Sequence, residues 1–331
     1  MFYLMEKFIF KYSNDYIDLC ESISRSLNCE IINNSINLNN NDNFKGKYYF
    51  SKVDEDTSCL LIDVIYQKDT FFEIRNNNSE FIALCYNISS SNFELFIDEQ
   101  IFQVGSDQNN LTTLDSSLDC DVIIKKDCKA FNFYIFISKK LLKDYVLKKS
   151  GNLKRLEELI ETSKNTIVRF ERMNYLSSFV LAELEQHIKK DMFWSLFMKG
   201  AVYELLDIYI ENLLISETIV AKVTAIELNN ILISQQHLKN ALEDDFPGIE
   251  NLSQKAAMSP TKYKNIFKKI IGTSPKSYFL MQKLEKGKEM LIAGNSVNEV
   301  SIALGYKSTS HFVSQFRGYY GITPKDYILK Y

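Results

Sequence analysis

The sequence predicts an α+β protein: a β-rich N-terminal part, a helical middle, and a small all-α C-terminal domain built from a duplicated unit. Three observations point there. Short apolar runs with Asn-, Ser- and Asp-rich breaks fill residues 1 to 140. From Ser138 onward the apolar spacing changes to three and four. Near the end, QFRGYYGITPKDY (315–327) repeats IFKKIIGTSPKSY (266–278), and Phe267 with Phe316, Gly272 with Gly321, Pro275 with Pro324 and Tyr278 with Tyr327 are each 49 residues apart.

The strand-like runs are CLLIDVIY (59–66), FIALCYN (81–87), FELFI (93–97), DVIIK (121–125) and FNFYIFI (131–137). Runs of that length separated by turn residues suit an antiparallel sandwich or barrel. Phe131 and Phe133 are expected to be core. Tyr16, Leu19, Cys20, Ile23 and Leu27 follow helical spacing and predict one early amphipathic helix, while the Asn-rich stretch 31–43 reads as a loop. The six cysteines form no CxxC pair, which argues against a zinc site or a disulfide framework and for buried free thiols; Cys120 and Cys128 are close in sequence, but spacing alone does not make them a redox pair.

LLKDYVL, YLSSFVLAELEQHI and MFWSLFMKGAVYELLDIYIENLL predict helices over roughly 139–240. No run approaches a membrane span, and Glu6, Lys7 and Lys11 interrupt what would be the apolar part of a signal peptide, so a cytoplasmic protein with no membrane contact is expected. At 331 residues and 46% apolar content the chain is long enough for two domains with a proper core.

Charge separates the two ends. From Phe246 onward there are 13 Lys and Arg against 5 Asp and Glu, a net of +8, which leaves 26 against 37, a net of −11, for residues 1–245. All four prolines and seven of the eleven glycines also fall after residue 246. A basic domain joined to an acidic one points to a polyanion partner for the C-terminal end.

Each copy of the repeat reads as short helix, tight turn, second helix, over about 249–271 and 296–320. Ser259 with Pro260, and Ser308, are N-cap signals for the second helices, and Gly272 and Gly321 stand where a helix ends in a left-handed residue. Ser296 with Glu299 makes a capping box, and Gly305 permits the turn of the second copy. On a basic domain this is the helix-turn-helix layout, whose second helix enters a DNA major groove. A linking helix from the Ser274–Pro275 cap to about Gly294 would span about 29 Å, against about 34 Å for one turn of DNA, which suits two recognition helices in successive grooves.

These residues resemble the AraC/XylS transcription regulators. The resemblance covers roughly 229–331 and is carried by MSPTKYKNIFKKIIGTSPKSY, LEKGKEMLIAG and VNEVSIALGYKSTSHFVSQFRGYYGITPKDY, with Ala303, Gly305, Tyr306, Phe312, Phe316, Gly321 and Pro324 in order. FMKGAVYELLDIYI looks like the helical segment that precedes this domain in some of these regulators. The resemblance implies a cupin-like effector or dimerisation domain over 1–140, a helical connecting segment over 141–228 and a DNA-binding domain over 229–331. It further implies double-stranded DNA as partner, a small-molecule effector whose site is unknown, a homodimer, and RNA polymerase as a possible contact. Three positions depart from the pattern: Gly287 stands mid-helix where Ala is usual, at a cost of about 1 kcal/mol, Lys283 replaces an Arg, and Ala256–Ala257 occupy the first turn where Gly is frequent.

On the first recognition helix Tyr263, Ile266, Phe267 and Ile270 share the core face, leaving Thr261, Lys262, Lys264, Asn265 and Lys268 outward. By resemblance Thr261, Lys264 and Asn265 match base-reading positions; Asn pairs bidentately with adenine, and Lys donates to guanine or phosphate. On the second, Phe312 and Phe316 point inward, and Thr309, Ser310, Val313, Ser314 and Arg317 outward; Thr309, Ser310 and Val313 match base-contact positions, with Arg317 at a phosphate. Lys268, Lys269 and Lys276 are candidate phosphate clamps. His187, His237 and His311 all lie outside the β-rich part and none is paired at ligand spacing, and there is no GxSxG, HExxH or phosphate-cradling loop, so neither an enzyme nor a metal or cofactor is expected. Two alternatives remain: a helical protein-binding adaptor, which fits the +8 charge poorly, and, last, a non-metal cupin-like enzyme.

Overall fold

The structure is a computed structural model that describes every residue except 1–4, 77, 89–92, 98–99, 105–109, 150–160, 162–164, 189–193, 216–218 and 331. Parts of the expected helical stretch, at 150–160, 162–164, 189–193 and 216–218, therefore lie outside the described residues, as does the first part of the segment weighed as a signal peptide. The chain divides into two compact units, Met1–Ile226 and Glu227–Tyr331.

The N-terminal unit holds two sheets. The larger has β12 (Val168–Glu171), β9 (Leu111–Asp115), β6 (Phe81–Asn87), β11 (Lys129–Ser138), β4 (Thr57–Tyr66), β3 (Phe44–Lys52) and β2 (Ser35–Asn37) in that order, every pair antiparallel. The smaller runs β1 (Glu6–Phe10), β5 (Thr70–Ile74), β10 (Cys120–Ile124), β7 (Phe93–Ile97) and β8 (Gln100–Val104), antiparallel except where β1 meets β5. All five expected runs are strands. Two expectations need correction. The Asn-rich stretch contains β2: Asn33 and Asn34 take left-handed backbone, which Asn tolerates, and this turns Ile36 and Leu38 into the core. The stretch read as helical contains β12, where Val168 and Phe170 are buried and alternate with half-exposed Arg169 and Glu171 at the period of an edge strand.

Near-continuous apolar strands are expected where both faces are covered, and the register shows what covers them. On one face of the larger sheet Cys59, Leu61, Phe133 and Ile135 lie side by side with Leu84 and Tyr86. They form one core with Leu142 of α2 (Lys139–Lys149), Leu181 and Leu184 of α3 (Tyr175–Ile188), and Val202, Leu205 and Tyr209 of α4 (Trp194–Ile215). Phe131 and Phe133 are core beneath these helices. The opposite face meets the smaller sheet through rings: Phe44 and Tyr66 lie 6.2 and 6.1 Å from Phe72, and Tyr12 lies 4.9 Å from Phe136. The amphipathic helix α1 (Tyr16–Leu27) forms as expected, capped by Asp15, with Leu19, Cys20, Ile23 and Leu27 buried.

Between the sheets lies a cavity of about 70 Å³, lined by Tyr12, Cys85, Val122 and Tyr134 among others. Burial pushes the Cys85 and Cys120 thiols up to about 12, so both stay protonated at neutral pH and are poor nucleophiles. All six cysteines are free, and the described residues contain no cluster of His, Cys, Asp or Glu that would hold a metal. No helix among them is long and apolar enough to cross a membrane.

The C-terminal unit is helical: α5 (Ala225–Asn240, entering from the end of the first unit), α6 (Ile249–Lys255), α7 (Pro260–Ile271), α8 (Pro275–Ile292), α9 (Val297–Ala303), α10 (Thr309–Tyr320) and α11 (Pro324–Lys330). Leu284 and Leu291 of α8 pack with Val300, Leu304, Phe312 and Phe316 in one core. In the first copy Tyr263, Ile266, Phe267 and Ile270 are buried, and the Tyr263 hydroxyl shares a 2.7 Å hydrogen bond with Ser234 of α5.

Candidate DNA-binding surface

The two copies are built alike down to single hydrogen bonds. In the first turn Ala257 N donates to Gln254 O (3.1 Å) and Met258 N to Ser253 O (2.9 Å); 48 residues on, Gly305 N donates to Ile302 O (2.9 Å) and Tyr306 N to Ser301 O (2.9 Å). Ala257 and Gly305 both take left-handed backbone, at φ 52° and 63°. One extra residue then separates the turns from the recognition helices. Ser259 and Ser308 cap α7 and α10, accepting from Lys262 N and His311 N, and left-handed Gly272 and Gly321 close them with N–H bonds to Lys268 O and Arg317 O. The Phe267 and Tyr278 rings are 5.8 Å apart, and Phe316 and Tyr327 are 5.7 Å apart. The capping box of Ser296 and Glu299 is complete, and the Ser296 backbone N–H holds the Glu299 carboxyl below its ordinary range.

The joining helix α8 has 18 residues, about 27 Å at 1.5 Å per residue. Gly287, in its middle, is where an added Cβ would come within 3.1 Å of both Leu304 and Phe312. The expected propensity cost at this position is thus accompanied by close approach of the second motif to α8. Lys283 is buried among aromatic rings, over Phe279 at 5.1 Å and Tyr306 at 5.3 Å, with its ammonium donating to Asp244 O at 2.7 Å. Burial lowers its pKa, partly offset by Asp245 and Asp244.

The ten candidate contact residues divide by what holds them. Thr261, Lys264 and Asn265 on α7 and Ser310, Ser314 and Arg317 on α10 are exposed; Lys268 and Val313 are half-buried. Lys262 is exposed but ion-paired with Glu227 of α5. Thr309 donates its hydroxyl to Asn298 Oδ1 at 2.9 Å and lies 3.1 Å from the Ser301 hydroxyl, so its methyl is the part left for a ligand. Lys276 is exposed, whereas Lys269 is buried at 8% exposure on the flank of α7 next to Ile270 and is no phosphate clamp. Glu227, Asn298 and Lys283 bear on the surface without having been marked as site residues. Glu227 and Lys262 are 35 residues apart, and no local spacing announces their meeting.

Fold and surface together define a tandem helix-turn-helix domain. Residues 252–329 match a protein-family model described as a helix-turn-helix domain. Over 97 residues the chain is 25% identical to the HTH-type transcriptional regulator ArgR of Pseudomonas aeruginosa, covering 29% of this chain and 28% of that one. Over 82 residues it is 34% identical to XylDLEGF operon transcriptional activator 1 of Pseudomonas putida, covering 24% of this chain and 25% of the relative. The chain thus spans about a quarter of the length of these relatives. Among solved structures, the C-terminal domain of the response regulator yesN from Fusobacterium nucleatum shares 28% identity at a TM-score of 0.29, over 30% of this chain and 98% of that one. The matched residues take in both motifs, so the C-terminal unit is similar to the helix-turn-helix domains of these transcriptional regulators.

Proposed function

We propose that the protein is a cytoplasmic, sequence-specific DNA-binding transcription regulator and not an enzyme, with α7 and α10 in successive major grooves on one face of the duplex. The observation that carries this reading is the near-identical construction of two helix-turn-helix motifs, each with an outward polar face, on a segment of net charge +8. Thr261, Lys264 and Asn265 read bases on the first helix, and Thr309, Ser310 and Val313 on the second. Lys268, Ser314 and Arg317 border those faces toward phosphate, whereas Lys262 borders the first face with its ammonium ion-paired to Glu227. The acidic N-terminal unit acts as the controlling part: it makes the homodimer, and the cavity between its sheets is where a small-molecule effector would enter. RNA polymerase is the further partner such a regulator would touch.

Titrating the full chain with duplex DNA across a salt series tests the reading. Affinity is expected to fall by about 0.9 log unit per log unit of salt for every phosphate neutralised. A flat response from folded protein would sink it.

The site sequence is also constrained. The chain has 33 Lys and 6 Arg, and Arg317 is the sole Arg after residue 246, so Arg bidentate to guanine is nearly unavailable. Asn265 suits adenine, and the Thr261 and Thr309 methyls suit thymine. Selection from a random pool should return A·T-rich sites with at most one required guanine per groove. Two indispensable G·C pairs under α7 would contradict this assignment.

A further inference from the structure

We propose that Glu227 is a positioning residue for DNA binding: it holds the Lys262 ammonium in an ion pair and so withholds one cation of the first recognition helix from the phosphate backbone. The proposal rests on the DNA-binding reading above. Lys262 sits in the first turn of α7, between Thr261 and Lys264, with its side chain 52% exposed; the Glu227 side chain is only 16% exposed. The carboxylate is therefore the fixed partner, and the Lys reaches to it on its flexible stem. A pair with one member mostly out of water is screened less than a fully exposed one. A cation already neutralised in this way displaces no condensed counterion when it lies beside a phosphate, so it adds nothing to the salt dependence of binding. The position 49 residues on from Lys262 is His311, so the second recognition helix carries no lysine at the equivalent place.

Glu227 lies in the first turn of α5, just beyond a segment that the N-terminal unit anchors. There Ala221 N donates to Asn165 Oδ1 at 3.1 Å, Thr166 N to Ala221 O at 3.2 Å, and Val223 N to Thr166 Oγ1 at 3.1 Å. The next residue, Ile167, donates its N–H to Asp115, which lines the cavity between the sheets. Only residues 224–226 separate this anchored segment from the carboxylate that holds Lys262.

Binding of the full chain to a poly(dA-dT) duplex, followed over a salt series, tests the proposal. Glu227→Gln should steepen the dependence of log affinity on log salt by about 0.9. Lys262→Ala alone should leave the wild-type slope unchanged, and adding it to Glu227→Gln should abolish the gain. Should Glu227→Gln lose cooperative unfolding by circular dichroism, Glu227→Ala, which also removes the charge from the first turn of α5, should give the same steepening. The proposal is overturned if Lys262→Ala alone flattens the slope, since Lys262 then already neutralises a phosphate, or if the Glu227 variant that folds runs parallel to wild type. Absence of binding by every protein would overturn the DNA-binding reading and this proposal with it.

Discussion

Gly305→Ala is expected to destabilise the C-terminal unit by about 3 kcal/mol or more and to abolish DNA binding through the second motif. Two costs combine. The residue has φ 63°, where a side chain costs about 1–2 kcal/mol. The added Cβ would also fall inside van der Waals contact of Glu243 O, a backbone atom. That backbone has little room to retreat, because the neighbouring Asp244 O accepts from the buried Lys283 ammonium and the Phe246 ring packs 5.7 Å from Phe279. Gly321→Ala is the control: its φ is 77°, but nothing lies within 4 Å of the added atom, so only the backbone cost remains. Ala257, at the equivalent turn of the first motif, already bears that cost, and Ala257→Gly should recover about 1 kcal/mol. Thermal unfolding of the three variants decides: if Gly305→Ala melts with Gly321→Ala, the contact with Glu243 is not the constraint argued here.

How much of this was legible beforehand follows from how local each feature is. Caps, closing glycines and the core faces of α7 and α10 are set within a few residues, so periodicity and residue type placed Ser259, Ser308, Gly272, Gly321, Phe312 and Phe316 correctly. Strands β6 and β7 were readable to the residue because turn-forming residues bound them. Strand β3, FKGKYYFSK, was missed because its lysines break the apolar run while its rings still reach the core. Strand β12 was hidden in a helical neighbourhood, since only its pairing with β9 makes it a strand. Within the site, outward direction was readable but occupancy was not. Lys262, Thr309 and Lys283 are held by Glu227, Asn298 and the Asp244 carbonyl, partners that spacing does not reveal.

The same limit applies to a buried ion pair of the N-terminal unit. Asp115→Ala is expected to destabilise that unit by about 3–5 kcal/mol, the usual cost of leaving a buried charge without its partner. Asp115 and Lys139 have side chains only 1% and 5% exposed, and Lys139 Nζ lies 2.7 Å from Asp115 Oδ1. The carboxylate also accepts from Ser117 N at 3.0 Å and the Ser117 hydroxyl at 2.8 Å through the same oxygen, and from Ile167 N at 3.0 Å through the other. Removing it strands an ammonium left, among the described residues, with Ser79 O as its acceptor, and frees the lead-in to β12 as well. Replacing both partners with apolar residues of similar volume, Asp115→Leu with Lys139→Met, removes the stranded charge and should cost less than Asp115→Ala alone. A urea titration followed by circular dichroism reads the loss of stability. A double variant no more stable than Asp115→Ala would show that the Ser117 and Ile167 bonds, rather than the buried ion pair, hold this corner of the fold.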